Sequence, residues 1–133
     1  MSPLILVVDD DDDVRAVVVD MLEAAAYPVL AAPHANDALL LLYKHPAISL
    51  VFTDINMPGL NGYVLADIAV ARWPHLRILY TTGALNSVAG GAWPGVLHGA
   101  MLAKPYHGSH LIAAITGSLA QPTPPRRWSA PLE

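Results

Sequence analysis

Asp9 and Asp10, Asp54, Thr82 and Lys104 each stand at or just past the end of a short apolar run. Leu4 to Val8 leads into Asp9 and Asp10, Ile48 to Thr53 into Asp54, Leu76 to Tyr80 into Thr81 and Thr82, and Ala100 to Ala103 into Lys104. Three carboxylates brought together repel one another and demand a proton or a cation. Oxygen donors suit a hard ion, and Mg²⁺ takes one or two carboxylates with waters and phosphate oxygens. An aspartate is a competent nucleophile toward phosphorus, giving an acyl phosphate. A threonine hydroxyl can donate to a phosphoryl oxygen, and a lysine ammonium can offset its charge. Phosphoryl transfer is mostly positioning and charge neutralisation, which such a set supplies.

Those residues must be delivered by elements. The apolar runs before them are nearly continuous, the pattern of strands buried on both faces of a parallel sheet. Val14, Val17, Val18, Met21, Leu22 and Ala25 recur at helical spacing, with Asp11 to Asp13 where acids cap a helix start. Pro28 to Ala32 reads as a second strand, and a Leu-rich helix begins at Asn36 or Asp37 and fades near His45-Pro46. Pro58-Gly59 and Asn61-Gly62 are turn signals. Helical spacing returns from Tyr63 to Arg72 and again from Leu111 to Leu119. Between the last two strands, Ala84 to Gly99 holds four glycines and a proline. Alternation asks for a fourth helix there, and the composition predicts a short, irregular or mobile one. Strand and helix alternating in this way predict an α/β fold, a doubly wound five-stranded parallel sheet with right-handed crossovers. In such sheets ligands bind outside the carboxyl ends of the strands, and all five polar residues fall on that edge.

Composition narrows the classes. The chain has 133 residues, 54% of them hydrophobic and 14% charged, against roughly 25% charged in a typical domain. It therefore predicts one packed domain over residues 1–120, followed by a Pro-rich, disordered tail over 121–133 whose final Leu132-Glu133 resembles a cloning remnant. No apolar run approaches the roughly 18 residues of a membrane span, no basic leader precedes Leu4, and there is no cysteine. A cytoplasmic protein is expected. A net charge of −4 argues against nucleic acid as a direct partner. Six histidines raise the question of a transition-metal site. His107 and His110 are one turn apart, but no third ligand is placed to join them.

The stretches Ile5-Leu6-Val7-Val8-Asp9-Asp10, Asp54-Ile55-Asn56-Met57-Pro58-Gly59 with Asn61-Gly62, Tyr80-Thr81-Thr82-Gly83 and Lys104-Pro105-Tyr106 are spread over nearly the whole chain. In this order they resemble the response-regulator receiver family of bacterial two-component signalling. The resemblance implies a flavodoxin-like sheet of order 2-1-3-4-5. It implies that Asp54 is the phosphoacceptor, and that Mg²⁺ is held by Asp9, Asp10, Asp54 and the backbone carbonyl of Asn56. Thr82 would be the hydroxyl that turns to the phosphoryl group and Lys104 its ion-pairing cation, with a cis Lys104–Pro105 peptide aiming the lysine. A receiver catalyses only its own phosphorylation from a phosphohistidine donor and its own dephosphorylation. Its partners would be a histidine kinase or phosphotransfer protein upstream and a protein target downstream, with homodimerisation left open. The same residues suit the receiver module of a hybrid histidine kinase.

Two departures from that family stand out. The strand-five position three residues before the lysine, where receivers carry Tyr or Phe as a reporter, holds Met101, which can repack but cannot swing a ring. With the Gly-rich 84–99 stretch, this predicts that signalling works by ordering or shifting that segment. Asp11 to Asp13 extend the acidic run beyond the pair required, and are expected to serve the helix start. Asn56 and Ala84 occupy the positions that tune hydrolysis in the family. Among rivals, a haloacid-dehalogenase phosphatase needs a second aspartate where Asn56 stands. An EF-hand counted from Asp9 needs glycine where Val14 stands. A dinucleotide binder needs a Gly-rich loop after the first strand. A phosphorylation-independent pseudo-receiver would have no use for the complete set of Asp9, Asp10, Asp54, Thr82 and Lys104.

Overall fold

The computed structural model describes residues 2–83 and 95–121. Its elements run β1 (Leu4–Val8), α1 (Asp12–Ala24), β2 (Val29–Ala32), α2 (Ala35–Lys44), β3 (Ile48–Asp54), α3 (Gly62–Arg72), β4 (Arg77–Thr82), β5 (Gly99–Ala103) and α4 (Gly108–Ala120). The five strands pair in parallel in the order β2-β1-β3-β4-β5, as expected. The predicted irregular helix falls mostly outside the described residues; of its stretch, residues 95–98 carry no regular element and Gly99 opens β5. The tail from residue 122 onward also lies outside them.

Alternation along the strands builds two cores from one sheet, because successive side chains point to opposite faces. Ile5 and Val7 pack with Leu50, Phe52 and Leu79 against Val18 and Leu22 of α1 and Leu111 and Ile115 of α4. Leu6 and Val8 pack with Val51, Ile78 and Tyr80 against Ala38 and Leu42 of α2 and Leu65, Ala66 and Ala69 of α3. A register shift between Leu4 and Ile5 opposite β3 lets Ile48 and Val51 share the second core. Both faces being covered explains why the sequence shows continuous apolar runs and not alternation.

The strand order reverses between β1 and β3, where neighbouring connections leave for opposite faces and open a crevice. β4 runs two residues further than Leu76 to Tyr80, because its pairing with β5 continues to Thr82 opposite Ala103. Beyond it the Lys104 amide donates to the Thr82 carbonyl at 2.9 Å, so Thr82 and Lys104 are fixed side by side. At the start of α3, Asn61 caps the helix by accepting from the Val64 amide at 2.9 Å. The next residue must be glycine: a Cβ on Gly62 would collide with the Asp54 carbonyl oxygen. Among the described residues no helix is long and apolar enough to cross a membrane.

Candidate functional site

Asp9 leaves β1 already clamped. Its amide donates to the Ala32 carbonyl at 3.2 Å, its carboxylate accepts from the Asp11 amide at 2.9 Å, and its carbonyl accepts from Arg15 Nη1 at 2.7 Å. Asp11 is the N-cap of α1, accepting from the amides of Asp13 and Val14. Arg15 also pairs with Asp12. The acidic run is therefore divided by role. Asp11 and Asp12 serve the helix start, as expected, while Asp9 is buried and Asp10 is exposed beside it.

Asp54 ends β3 and is 7% exposed. Its Oδ1 accepts from the Asn56 amide at 3.1 Å, and its Oδ2 accepts from Lys104 Nζ at 3.0 Å. The same ammonium donates to Asp9 Oδ2 at 3.3 Å. Burial alone would push the Lys104 ammonium toward a lower pKa; the hydrogen bond and charge of Asp54, followed by those of Asp9, outweigh it and raise the value. The Lys104–Pro105 peptide is cis.

Oxygens of Asp9, Asp10 and Asp54 lie within 4.8 Å of one another, and among the described residues no other cluster of three acids or histidines could hold an ion. His107 and His110 stack edge to face with ring centres 5.3 Å apart and gain no third ligand among the described residues. Three carboxylates against one ammonium leave two formal negative charges over, and the donor set is all hard oxygen. Both properties fit a small divalent cation such as Mg²⁺.

Thr82 is fully buried, and its hydroxyl accepts from the Asn56 side-chain amide at 3.2 Å. Asn56 thereby bridges the site, its backbone N–H on Asp54 and its side chain on Thr82. All the residues picked from the sequence thus gather at one end of the sheet. Three contributions went unnoticed there. One is the Asn56 amide. Another is Arg15, the only Lys or Arg before Lys44, which that isolation could have flagged. The third is Tyr106, half-buried and edge-to-face with Phe52 at 6.0 Å between ring centres. Burial pushes the Tyr106 phenol up to about 12, with Lys104 opposing and Asp9 and Asp54 adding to the rise. Met101 pairs with Tyr80 in the sheet register and packs, partly buried, against the α2–α3 core.

Such a pocket can hold a cation, present a carboxylate nucleophile and neutralise an incoming anion. The response regulator receiver domain family matches residues 5–116. The response regulator receiver protein CpdR of Brucella abortus is 33% identical over 111 residues, covering 84% of this chain and 92% of that protein. The response regulator protein FleR of Pseudomonas aeruginosa is 37% identical over 82 residues, covering 62% of this chain but only 17% of FleR. A crystal structure of a response regulator receiver domain protein from Clostridium thermocellum superposes with a TM-score of 0.74 at 26% identity, covering 88% of this chain and 94% of that one. This chain belongs to the response regulator receiver domain family of two-component signalling systems.

Proposed function

We propose that the protein is a phosphorylation switch in which the Asp54 carboxylate accepts a phosphoryl group from a phosphohistidine. The observation that carries this reading is the Lys104 ammonium shared between Asp54 and Asp9, at 3.0 and 3.3 Å, inside a cluster of three acids. In the transfer an Asp54 oxygen forms a bond to phosphorus as the donor's P–N bond breaks, and the departing imidazole nitrogen keeps the electron pair. Oδ2 reaches phosphorus only by giving up its hydrogen bond, which frees the Lys104 ammonium to follow the charge onto a phosphoryl oxygen. Thr82, whose oxygen accepts from Asn56, would turn its hydroxyl proton to another phosphoryl oxygen. Asp9, Asp10, Asp54 and the Asn56 carbonyl are the groups to hold Mg²⁺, which when bound offsets both the carboxylate repulsion and the phosphoryl charge.

The donor has a ready approach. Exposed Val17 lies on a groove of about 350 Å³ lined by Val14, Val18, Met21, Pro105 and Tyr106, directly beside Lys104. An apolar face on a histidine kinase or phosphotransfer protein suits it, with a protein target downstream. No further enzymatic reaction is assigned. We place the receiver in residues 1–120 with a tail beyond, working in the bacterial cytoplasm. Because the match to FleR covers 17% of that protein, a receiver of this kind also occurs within longer chains, and the module of a hybrid kinase is the second reading.

Incubation with acetyl phosphate and Mg²⁺, followed by intact mass measurement, tests the proposal. One phosphoryl group is expected on the protein and none on Asp54→Asn; unchanged mass for both sinks the reading. Mg²⁺ alone at millimolar concentration should raise the melting temperature, because the folded state alone assembles the carboxylates. No shift would count against the cation site.

A further inference from the structure

The phosphoryl-acceptor edge uses none of the surface that α2 and α3 present to solvent, and that surface is unusual. Helix α3 carries only two charged residues, Asp67 and Arg72, and a helix so apolar around its circumference belongs in an interior. Yet Ile68 is 41% exposed, and across from it on α2 Leu40 is 54% and Tyr43 is 64% exposed. Half of the six large hydrophobic residues exposed among the described residues therefore sit in this one place. Together with Leu39, Arg72 and Trp73 they line a groove of about 300 Å³.

Arg72 is the informative residue. Its guanidinium carbon lies 4.9 Å from the centre of the Tyr43 ring and 5.8 Å from that of Trp73. Those rings meet edge to face at 6.4 Å. Two aromatic rings thus orient the guanidinium, which is the group best suited to bind a carboxylate by a two-pronged hydrogen bond. Among the described residues, however, no acid or carbonyl accepts from it: Asp37 is paired with His34 on α2, and Asp67 with His98 beside β5. Lys44, in the last turn of α2, adds a second positive charge near the same helix ends, in a chain whose net charge is −4. The result is an apolar trough with a positioned, unclaimed cation at its end.

We infer that the α2–α3 groove is a docking site for a protein segment that places a carboxylate beside a stripe of apolar side chains, an acidic amphipathic helix by preference. Helix-in-groove recognition uses such a stripe. The Arg72 fork supplies orientation, since a charge-assisted, two-pronged hydrogen bond fixes register where apolar contact alone does not. This site is separate from Asp54 and does not depend on its phosphorylation.

Selection of short random peptides displayed against the intact protein, with amide-shift mapping of the binders, tests the inference. Enrichment of Asp or Glu next to Leu, Ile or Phe is expected, with shifts confined to residues of α2, α3 and the Trp73 indole. Replacing the selected acid by its amide, which leaves the protein untouched, should weaken binding about ten- to a hundredfold, and Arg72→Gln should do the same. Arg72→Lys should recover only part of the loss, since the charge returns without the fork. Failure to enrich any binder, enrichment without an acid, shifts lying elsewhere, or binding indifferent to Arg72→Gln would each overturn it. Concentration-dependent self-association that Arg72→Gln abolishes would also overturn it, by making the occupant a second copy of the chain.

Discussion

Lys104 and Arg72 are cations placed at opposite ends of a design problem. Lys104 leaves β5 into a cluster of carboxylates and is held between Asp9 and Asp54. Arg72 ends α3 on the surface, held by two aromatic rings with no carboxylate in reach among the described residues. Burying a charge is costly unless it is paired, so the first arrangement is stable as it stands and can be changed only by bringing in another charge. The second costs little in water, and what it lacks is a partner. One cation thus has its partners inside the fold, whereas the other presents its charge to the outside.

Alkaline titration separates the two most strongly, because it strikes groups in the interior and spares an arginine. Tyr80, fully buried, has its phenol pushed up to about 12 by burial, against 10.0 in the unfolded chain; the His98 amide that donates to it works in the other direction. A group whose folded pKa is raised contributes stability that is complete below its unfolded value and is lost as pH climbs through the folded one. Stability should therefore fall by about 3 kcal/mol from this residue alone between pH 10 and about 12. Tyr106 and Lys104, also raised, steepen the same fall. Urea unfolding across that range checks the slope, and Tyr80→Phe should flatten it.

Lys104→Met breaks the first arrangement directly. With its ammonium gone, Asp9 and Asp54 face each other nearly buried, and a loss of about 1–3 kcal/mol is expected, discounted from a fully buried pair because the lysine side chain is 23% exposed. Millimolar Mg²⁺ should shrink that loss by supplying the missing charge, and denaturant melts with and without the ion measure both. Arg72→Gln, by contrast, should change stability by less than about 1 kcal/mol, the worth of an exposed cation–aromatic contact. If it costs as much as Lys104→Met, Arg72 is holding the fold together and the contrast between the cations disappears.

Much of this was legible in the chain because the physics was local. β1 lies where Leu4 to Val8 placed it, since a continuous apolar run closed by acids has no other reading in an α/β alternation. The site residues were legible for the same reason: their positions follow from strand ends, and the strand order follows from connection rules. What was missed depends on contacts far apart in sequence. β4 runs on to Thr82 because β5 pairs with it, which no local pattern records. α4 begins at Gly108, three residues ahead of the first apolar position, since Gly108 and Ser109 carry no helix signal and His107 makes no side-chain cap. The Arg72 groove was missed because Tyr43 and Trp73 lie on different elements and meet only when α2 packs beside α3.

The bare backbone of Gly62 ties these regions together. Having no side chain, it lets the first turn of α3 rest directly on the Asp54 carbonyl, and its amide donates to the Ile55 carbonyl at 3.1 Å. A helix of eleven residues starts at that junction, and with a rise of 1.5 Å per residue it ends about 16 Å away, at Arg72. A methyl group added at that junction would meet the Asp54 carbonyl oxygen, and the start of the rod would have to lift off the sheet edge to make room for it.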